Sequence, residues 1–236
     1  MQTIVFDVDD TLYDQAQSFH QTVREQISQD FTPEELDNLY KKSRKYSELL
    51  FDESERGGEI TTFEWQTGRF IKAFENFGIS MNQEQAADFH YSYKDAQANI
   101  TLFPEIVELL ELLKNQGKQL AILTNGEEGH QSMKIEQLGL TQWISEDHIF
   151  ISGTHGVAKP KKVIFDIVEK KLNLNPTETV YIGDSYEKDI IGAKQAGWKA
   201  IWVNYRNKEI PEDSKIRPDQ ELHHPSQLLT YFASTS

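Results

Sequence analysis

In Phe6-Asp7-Val8-Asp9-Asp10-Thr11-Leu12 a short apolar run gives way to carboxylates at alternate positions. Residues two apart at a strand end point the same way, so Asp7 and Asp9 are expected to face one point in space. Two carboxylates about 4 Å apart repel by about 4 kcal/mol at an effective dielectric near 20. A cation or a retained proton must offset that repulsion; the plainer reading is an acidic turn after a strand. A calcium loop fits poorly, because Leu12 stands where such a loop needs glycine and Ser18 where it needs a bidentate glutamate.

Further motifs point to anion and metal binding. Ile122-Leu123-Thr124-Asn125-Gly126 offers a hydroxyl, an amide and backbone N–H groups at a helix start, the makings of a phosphate cradle. Its plainer reading is a helix N-cap, with Glu127 and Glu128 favouring the dipole. In Val157-Ala158-Lys159-Pro160 the lysine precedes proline, is held extended and can reach a phosphate as a point charge, or it is a solvated surface lysine. Tyr181-Ile182-Gly183-Asp184-Ser185, followed by Asp189, sets a carboxylate at the end of a buried strand, where Mg²⁺ or a helix N-terminus could use it.

These motifs need elements to position them. Apolar β-branched runs at Thr3–Asp7, Gln119–Thr124, His148–Ser152, Thr179–Gly183 and Ala200–Val203 read as buried parallel strands. Between them lie helical patterns such as Pro104–Lys114, where Ile106, Leu109, Leu110 and Leu113 follow the helical spacing and Gly117 lies just beyond. Gly139 and Gly197 end the next helical candidates in the same way. Such alternation predicts an α/β fold with a parallel sheet covered on both faces. Ligands bind outside the carboxyl ends of strands in such sheets, and all of the motifs fall there. The stretch from Gln15 to Asn99 breaks the rhythm, with helical periodicity and breaks at Phe31-Thr32-Pro33, Glu55-Arg56-Gly57-Gly58 and Asn76-Phe77-Gly78. It is expected to be a helical insertion over the end of the first strand. After Tyr205 a short edge strand near Glu221 and a last helix at Ser226–Phe232 are expected.

Composition narrows the function. The chain has 236 residues, 38 acidic against 24 basic, and a net charge of −14, which disfavours nucleic-acid polymers and acidic membranes as partners. It has no cysteine, which removes disulfides, thiolate metal sites and cysteine nucleophiles. No apolar run is long enough to span a bilayer and the first residues lack a basic n-region, so a cytoplasmic location is expected. Gly192-x4-Gly197 has Trp198 where a P-loop needs lysine, and neither Gly-x-Ser-x-Gly nor His-Glu-x-x-His occurs.

Asp7-x-Asp9-x-Thr11, Thr124-Asn125, Lys159-Pro160 and Gly183-Asp184-x4-Asp189, in that order and spacing, resemble the haloacid dehalogenase (HAD) superfamily. The resemblance covers essentially the whole chain and is to the branch with a helical cap after the first motif. Within that branch Gly68-Arg69-Phe70, Ile122–Gly126 and Gly156-Val157-Ala158-Lys159-Pro160-x-Lys162-x-Ile164-Phe165 look most like pyrimidine 5′-nucleotidases. Asp10 departs from the glycine common in the first motif, and Lys161-Lys162 from a common Asp-Pro.

The resemblance implies a three-layer Rossmann-like catalytic core at 1–14 and 100–236 and a helical cap domain at 15–99. It implies a Mg²⁺-dependent phosphatase acting on a small phosphorylated metabolite, a nucleotide or a sugar phosphate, as a monomer or homodimer. Asp7 would attack phosphorus and become an aspartyl-phosphate. Asp9 would start neutral, protonate the leaving oxygen and later take a proton from water. Asp7, the backbone carbonyl of Asp9 and Asp184 would hold Mg²⁺, with Asp189 orienting that shell. Thr124, Asn125 and Lys159 would stabilise the phosphoryl oxygens.

The cap is expected to act as a lid. Its aromatics Phe63, Trp65, Phe70, Phe74, Phe77, Tyr91 and Tyr93 could stack on a base, but are read first as the cap's own core; Tyr46, Leu50, Arg56 and Arg69 are candidates to line the cleft. A haloacid dehalogenase would need neither Mg²⁺ nor the Asp9 acid. A phosphoglycolate phosphatase would use the same machinery as a nucleotidase, and a non-catalytic phospholigand-binding protein would have no need of every carboxylate.

Overall fold

Alternating side chains on short buried strands give the sheet two apolar faces. The structure, a computed structural model, describes residues 2–55 and 60–234. The chain divides into two compact units, Met1–Asp14 with Ile100–Ser236, and Gln15–Asn99.

In the first unit, strands β1 (Thr3–Phe6), β2 (Gln119–Thr124), β3 (Ile149–Ile151), β4 (Thr179–Gly183), β5 (Lys199–Val203) and β6 (Gln220–Leu222) form one six-stranded sheet. Their order is β3-β2-β1-β4-β5-β6 and every neighbouring pair is parallel. Phe6 lies level with both Ile122 and Ile182, so Asp7 leaves the sheet one residue before Thr124 and Asp184. That register puts the motif residues at one edge of the sheet. β3 is shorter than the expected run, because His148 belongs to a 3₁₀ turn and Ser152 already starts a short helical turn.

Helices follow in chain order: α1 (Gln15–Gln26), α2 (Pro33–Glu55), α3 (Thr62–Glu75) and α4 (Gln83–Ala96) belong to the second unit. The first unit holds α5 (Pro104–Asn115), α6 (Glu128–Gln137), α7 (Ser152–His155), α8 (Lys162–Leu172), α9 (Ile191–Gln195) and α10 (Pro225–Ser234). Ile4 and Phe6 point to one side of the sheet, where Ile106, Leu109, Leu110 and Leu113 of α5 pack with Ile135 of α6 and Leu228 and Phe232 of α10. Val5 points to the other, with Ile164, Phe165 and Val168 of α8, Ala193 of α9 and Trp198. Each such fully buried Leu, Ile or Phe contributes about 1.5–3 kcal/mol, so the two faces fix the register that aligns the strand ends. The result is a three-layer α/β unit.

The second unit is all helical among its described residues. Phe19, Tyr40, Phe70, Phe74, Phe89 and Tyr93 are buried together, with the Phe70 and Phe89 rings 4.8 Å apart. Phe70, Phe74 and Tyr93 are therefore core residues of this unit and Phe77 packs against them, whereas Phe63 and Tyr91 are exposed. Reciprocal capping boxes start α3 (Thr61 with Glu64) and α4 (Asn82 with Gln85). Arg56 lies outside the described residues. No helix among the described residues is long and apolar enough to cross a membrane.

Candidate active site

The carboxyl edge of the sheet gathers Asp7 from β1, Asp184 after β4 and Asp189, each offering an oxygen within 4.8 Å of the others. Asp7 is anchored by its own N–H, which donates to the carbonyl of Ile182 at 2.9 Å. Asp189 returns over the end of β4 from a π turn at Tyr186–Ile190. A side chain at Gly183 would collide with its carboxylate, which is why the strand ends in glycine.

Lys159 is the hub. Its Nζ donates to Asp7 Oδ1 at 2.8 Å, Asp189 Oδ1 at 2.7 Å and the Tyr181 hydroxyl at 2.7 Å, which uses all three of its protons. The Tyr181 hydroxyl passes its own proton to the carbonyl of Leu123 at 2.6 Å. The Asn125 amide clasps the lysine backbone, accepting from its N–H and donating to its carbonyl, both at 3.0 Å. Asn125 thus ties the end of β2 to the loop that carries Lys159. Thr124 is buried beside it at the strand end.

Charge in this cluster is unbalanced. Burial pushes Asp7 up to about 7 although Lys159 pulls the other way, and Asp189, Asp184 and Asp9 add to the rise. Burial also raises Asp184 against the pull of Lys208, whose Nζ donates to Asp184 Oδ2 at 2.7 Å. Asp189 and Asp7 together hold Lys159 protonated, well above its ordinary range, although burial opposes its charge. Three hard oxygen donors with a surplus of negative charge suit a small divalent cation. The chemistry of the donor set therefore fits Mg²⁺.

Asp9 differs from the neutral acid that the family resemblance implied, and the repulsion between it and Asp7 is offset by cations. Lys134, itself buried, donates to its two oxygens at 2.8 and 2.9 Å; Tyr13 adds a hydrogen bond at 2.5 Å and Gln131 one at 3.0 Å. Although burial disfavours the charge, Lys134 by charge and hydrogen bond, with Tyr13 and Gln131, holds the carboxyl well below its usual range. The expected neutral Asp9 is corrected: it is an ion-paired carboxylate. Each member of the Asp7/Asp9 pair has its own lysine.

Part of the expected N–H cradle after Thr124-Asn125 is engaged within the protein. Glu127 caps α6 by accepting from the N–H groups of Gly129 and His130, and Ser152 Oγ accepts from Gly126. Asp10 sits at φ 53°, the left-handed region, which glycine adopts freely and which aspartate tolerates better than most residues. Its Oδ1 accepts from Arg206 at 2.8 Å, as Asp14 Oδ1 does at 2.6 Å. Lys134, Gln131, Tyr13, Tyr181, Arg206 and Lys208 were not singled out in the sequence. The available signals were polar residues in apolar settings: Gln131 and Lys134 on the stripe with Ile135 and Leu138, and Tyr181 inside a buried strand.

The family model for haloacid dehalogenase-like hydrolases matches residues 1–197. The chain belongs to the haloacid dehalogenase-like hydrolase family. It is 34% identical over 179 residues to the pyrimidine 5′-nucleotidase YjjG of Escherichia coli strain K12, covering 74% of this chain and 75% of the relative. It is 28% identical over 233 residues to a glyceraldehyde 3-phosphate phosphatase of Methanopyrus kandleri, covering 97% of this chain and 96% of that one. Among solved structures it is similar to the HAD-hydrolase YfnB from Bacillus subtilis, bound to magnesium, with a TM-score of 0.73, 25% identity and coverage of 98% and 97%. For this HAD-like hydrolase, then, fold and carboxylate cluster agree with the motifs that suggested them.

Proposed function

We propose that this HAD-like hydrolase is a Mg²⁺-dependent phosphatase that cleaves small phosphate monoesters through an aspartyl-phosphate on Asp7. The observation that carries the reading is the convergence of Asp7, Asp184 and Asp189 on one point, with Lys159 joining two of them.

Asp7 Oδ forms the new bond to phosphorus while the bond from phosphorus to the leaving oxygen breaks. Lys159, whose protons are all engaged, exchanges its contact with Asp7 for a phosphoryl oxygen as that carboxylate becomes an acyl phosphate. Tyr181 and Asn125 hold the lysine in place during the exchange, and the Thr124 hydroxyl donates to a second phosphoryl oxygen. Asp9 handles the proton. To protonate the leaving oxygen it must part from Lys134 and carry a proton; as the Lys134-paired carboxylate it accepts one from the water that hydrolyses the phosphoenzyme. Asp7, Asp184 and the backbone carbonyl of Asp9 would hold Mg²⁺, and Asp189, with one oxygen on Lys159 and the other accepting from the Ser185 N–H at 2.9 Å, orients the group. Mg²⁺ supplies charge neutralisation and polarises the phosphoryl oxygens.

The substrate is a nucleoside 5′-monophosphate, the class named for the Escherichia coli relative. A sugar or triose phosphate is the second reading, favoured by the near full-length match to the Methanopyrus enzyme. The helical unit serves as the cap that selects among them. The net charge of −14 favours such small ligands over nucleic-acid polymers, and a chain without cysteine fits a cytoplasmic setting.

Hydrolysis of p-nitrophenyl phosphate with Mg²⁺, and its loss in EDTA, tests the reaction class. Activity indifferent to chelation removes the metal; no phosphate release from any ester removes the phosphatase. A panel of nucleoside monophosphates, sugar phosphates and phosphoglycolate then ranks the substrates.

A further inference from the structure

Lys208 is held in the same way as Lys159. Asn204, the buried residue after β5, clasps the Lys208 backbone: its Oδ1 accepts from the Lys208 N–H at 2.7 Å and its Nδ2 donates to the Lys208 carbonyl at 2.8 Å. Asn125, the residue after β2, does the same for Lys159, at 3.0 Å both ways. Each clasped lysine gives its ammonium to one oxygen of a cluster carboxylate, Lys159 to Asp7 Oδ1 and Lys208 to Asp184 Oδ2. The second oxygen of each carboxylate accepts no hydrogen bond among the described residues. Glu221 on β6 secures the second clasp by accepting from Asn204 Nδ2 at 2.7 Å, and the Trp202 indole fixes the Asp184 carbonyl at 2.8 Å. The contact of Lys208 with Asp184 is thus built by the ends of β4, β5 and β6 together.

Exposure separates the two lysines. The Lys159 side chain is 2% exposed and its protons go to Asp7, Asp189 and Tyr181, whereas that of Lys208 is 43% exposed and lines a small cleft with Asp10, Asp184, Asn204 and Arg206. An ion pair with so exposed a member contributes little to folding stability, so the field of Lys208 acts chiefly on what else Asp184 attracts. When ionised, Asp7, Asp184 and Asp189 carry three negative charges, of which Lys159 and Lys208 return two. A divalent cation then leaves the cluster positive, and a phosphate group reverses the sign again. Without Lys208 the same cation would only neutralise the cluster, and phosphate would meet no attracting charge.

We propose that Lys208, clasped by Asn204 and paired with Asp184, couples the two ligands of this site: it holds the affinity for a divalent metal down and leaves the metal-loaded cluster with a positive charge that a phosphate group balances. Lys208 acts through Asp184 and is a positioning residue. The inference rests on the metal assignment proposed above, and its test reads no turnover.

Titration calorimetry on the full chain measures Mg²⁺ alone and then inorganic phosphate at saturating Mg²⁺. Lys208→Met should bind Mg²⁺ about threefold or more tightly, and phosphate about threefold or more weakly, than the native chain. Lys208→Arg keeps the charge and should bind both as the native chain does. Lys194→Met removes the same charge from a lysine paired with Asp219 and should change neither. Mg²⁺ binding that does not tighten in Lys208→Met, phosphate binding that does not weaken, the same shifts in Lys194→Met, or Lys208→Arg behaving as Lys208→Met overturns the proposal and leaves the metal assignment standing. A native chain without saturable Mg²⁺ binding overturns both.

Discussion

In the sheet unit each buried or half-buried aspartate at the strand ends meets a cation: Asp7 and Asp189 meet Lys159, Asp9 meets Lys134, Asp10 meets Arg206 and Asp184 meets Lys208. In the helical unit Arg69 is packed among rings with no described carboxylate beside it. The difference lies in how each unit is specified. The sheet unit holds its site with ion pairs between elements far apart in sequence, such as Lys134 with Asp9 and Lys159 with Asp7, on a scaffold fixed by strand register. The helical unit holds together through an aromatic core and capping boxes, with no network of buried ion pairs among those contacts. Removing one member of a pair in the sheet unit should therefore strand the other, while equivalent changes in the helical unit should be mild.

The largest effect expected is from Asp7→Asn, which should abolish turnover of p-nitrophenyl phosphate; ordinary turnover would remove Asp7 as the nucleophile. Asp9→Asn should lower kcat by roughly 10²–10⁴-fold, the range for a lost acid–base group, and near wild-type rates would mean that another residue moves the proton. Lys134→Met leaves the Asp9 carboxylate buried without its cation and should cost about 3–5 kcal/mol of stability in urea unfolding. A neutral result there would show that the pair does not matter to the fold. Tyr181→Phe leaves Lys159 and the Leu123 carbonyl each short of a partner, costs about 1–3 kcal/mol and lowers kcat more than it raises KM. An equal change in the two constants would contradict a role in positioning Lys159.

The smallest effect belongs to the helical unit and depends on pH. Burial, then Arg69 and Lys94, push His90 from its ordinary 6.5 down to about 4. A depressed folded value means that stability is fully present above pH 6.5 and falls as pH drops towards about 4. Thermal unfolding across that window should show a shallower decline in His90→Gln than in the native chain. Parallel profiles would mean that His90 does not titrate as its surroundings demand.

The sheet unit was the more legible of the two. Its strands are short apolar runs ended by Gly, Asp or Asn, and the carboxyl edge follows once they are parallel, so Asp7, Thr124, Lys159 and Asp184 could be placed from spacing. What spacing could not reveal was the partner of each charge. Lys134 occurs in an ordinary polar helix, and only the packing of α6 against the sheet brings it to Asp9. For the same reason the ionised state of Asp9 was out of reach: the motif gives the residue but not the lysine that fixes its charge. In the helical unit, periodicity identified helices and an aromatic core, yet it does not say which ring is buried, as Phe70 and Phe63 show from the same helix. Gly68 and Arg69 read as a family motif; their unusual features, a glycine that packing does not require and a cation without an acid, emerge only in three dimensions.

The most direct measurement of the central claim is mass spectrometry of the protein quenched in acid during steady turnover with Mg²⁺. One phosphoryl group should appear on the peptide that carries Asp7 and be absent from Asp7→Asn. A phosphoryl group on any other residue, or none while hydrolysis proceeds, would contradict the account.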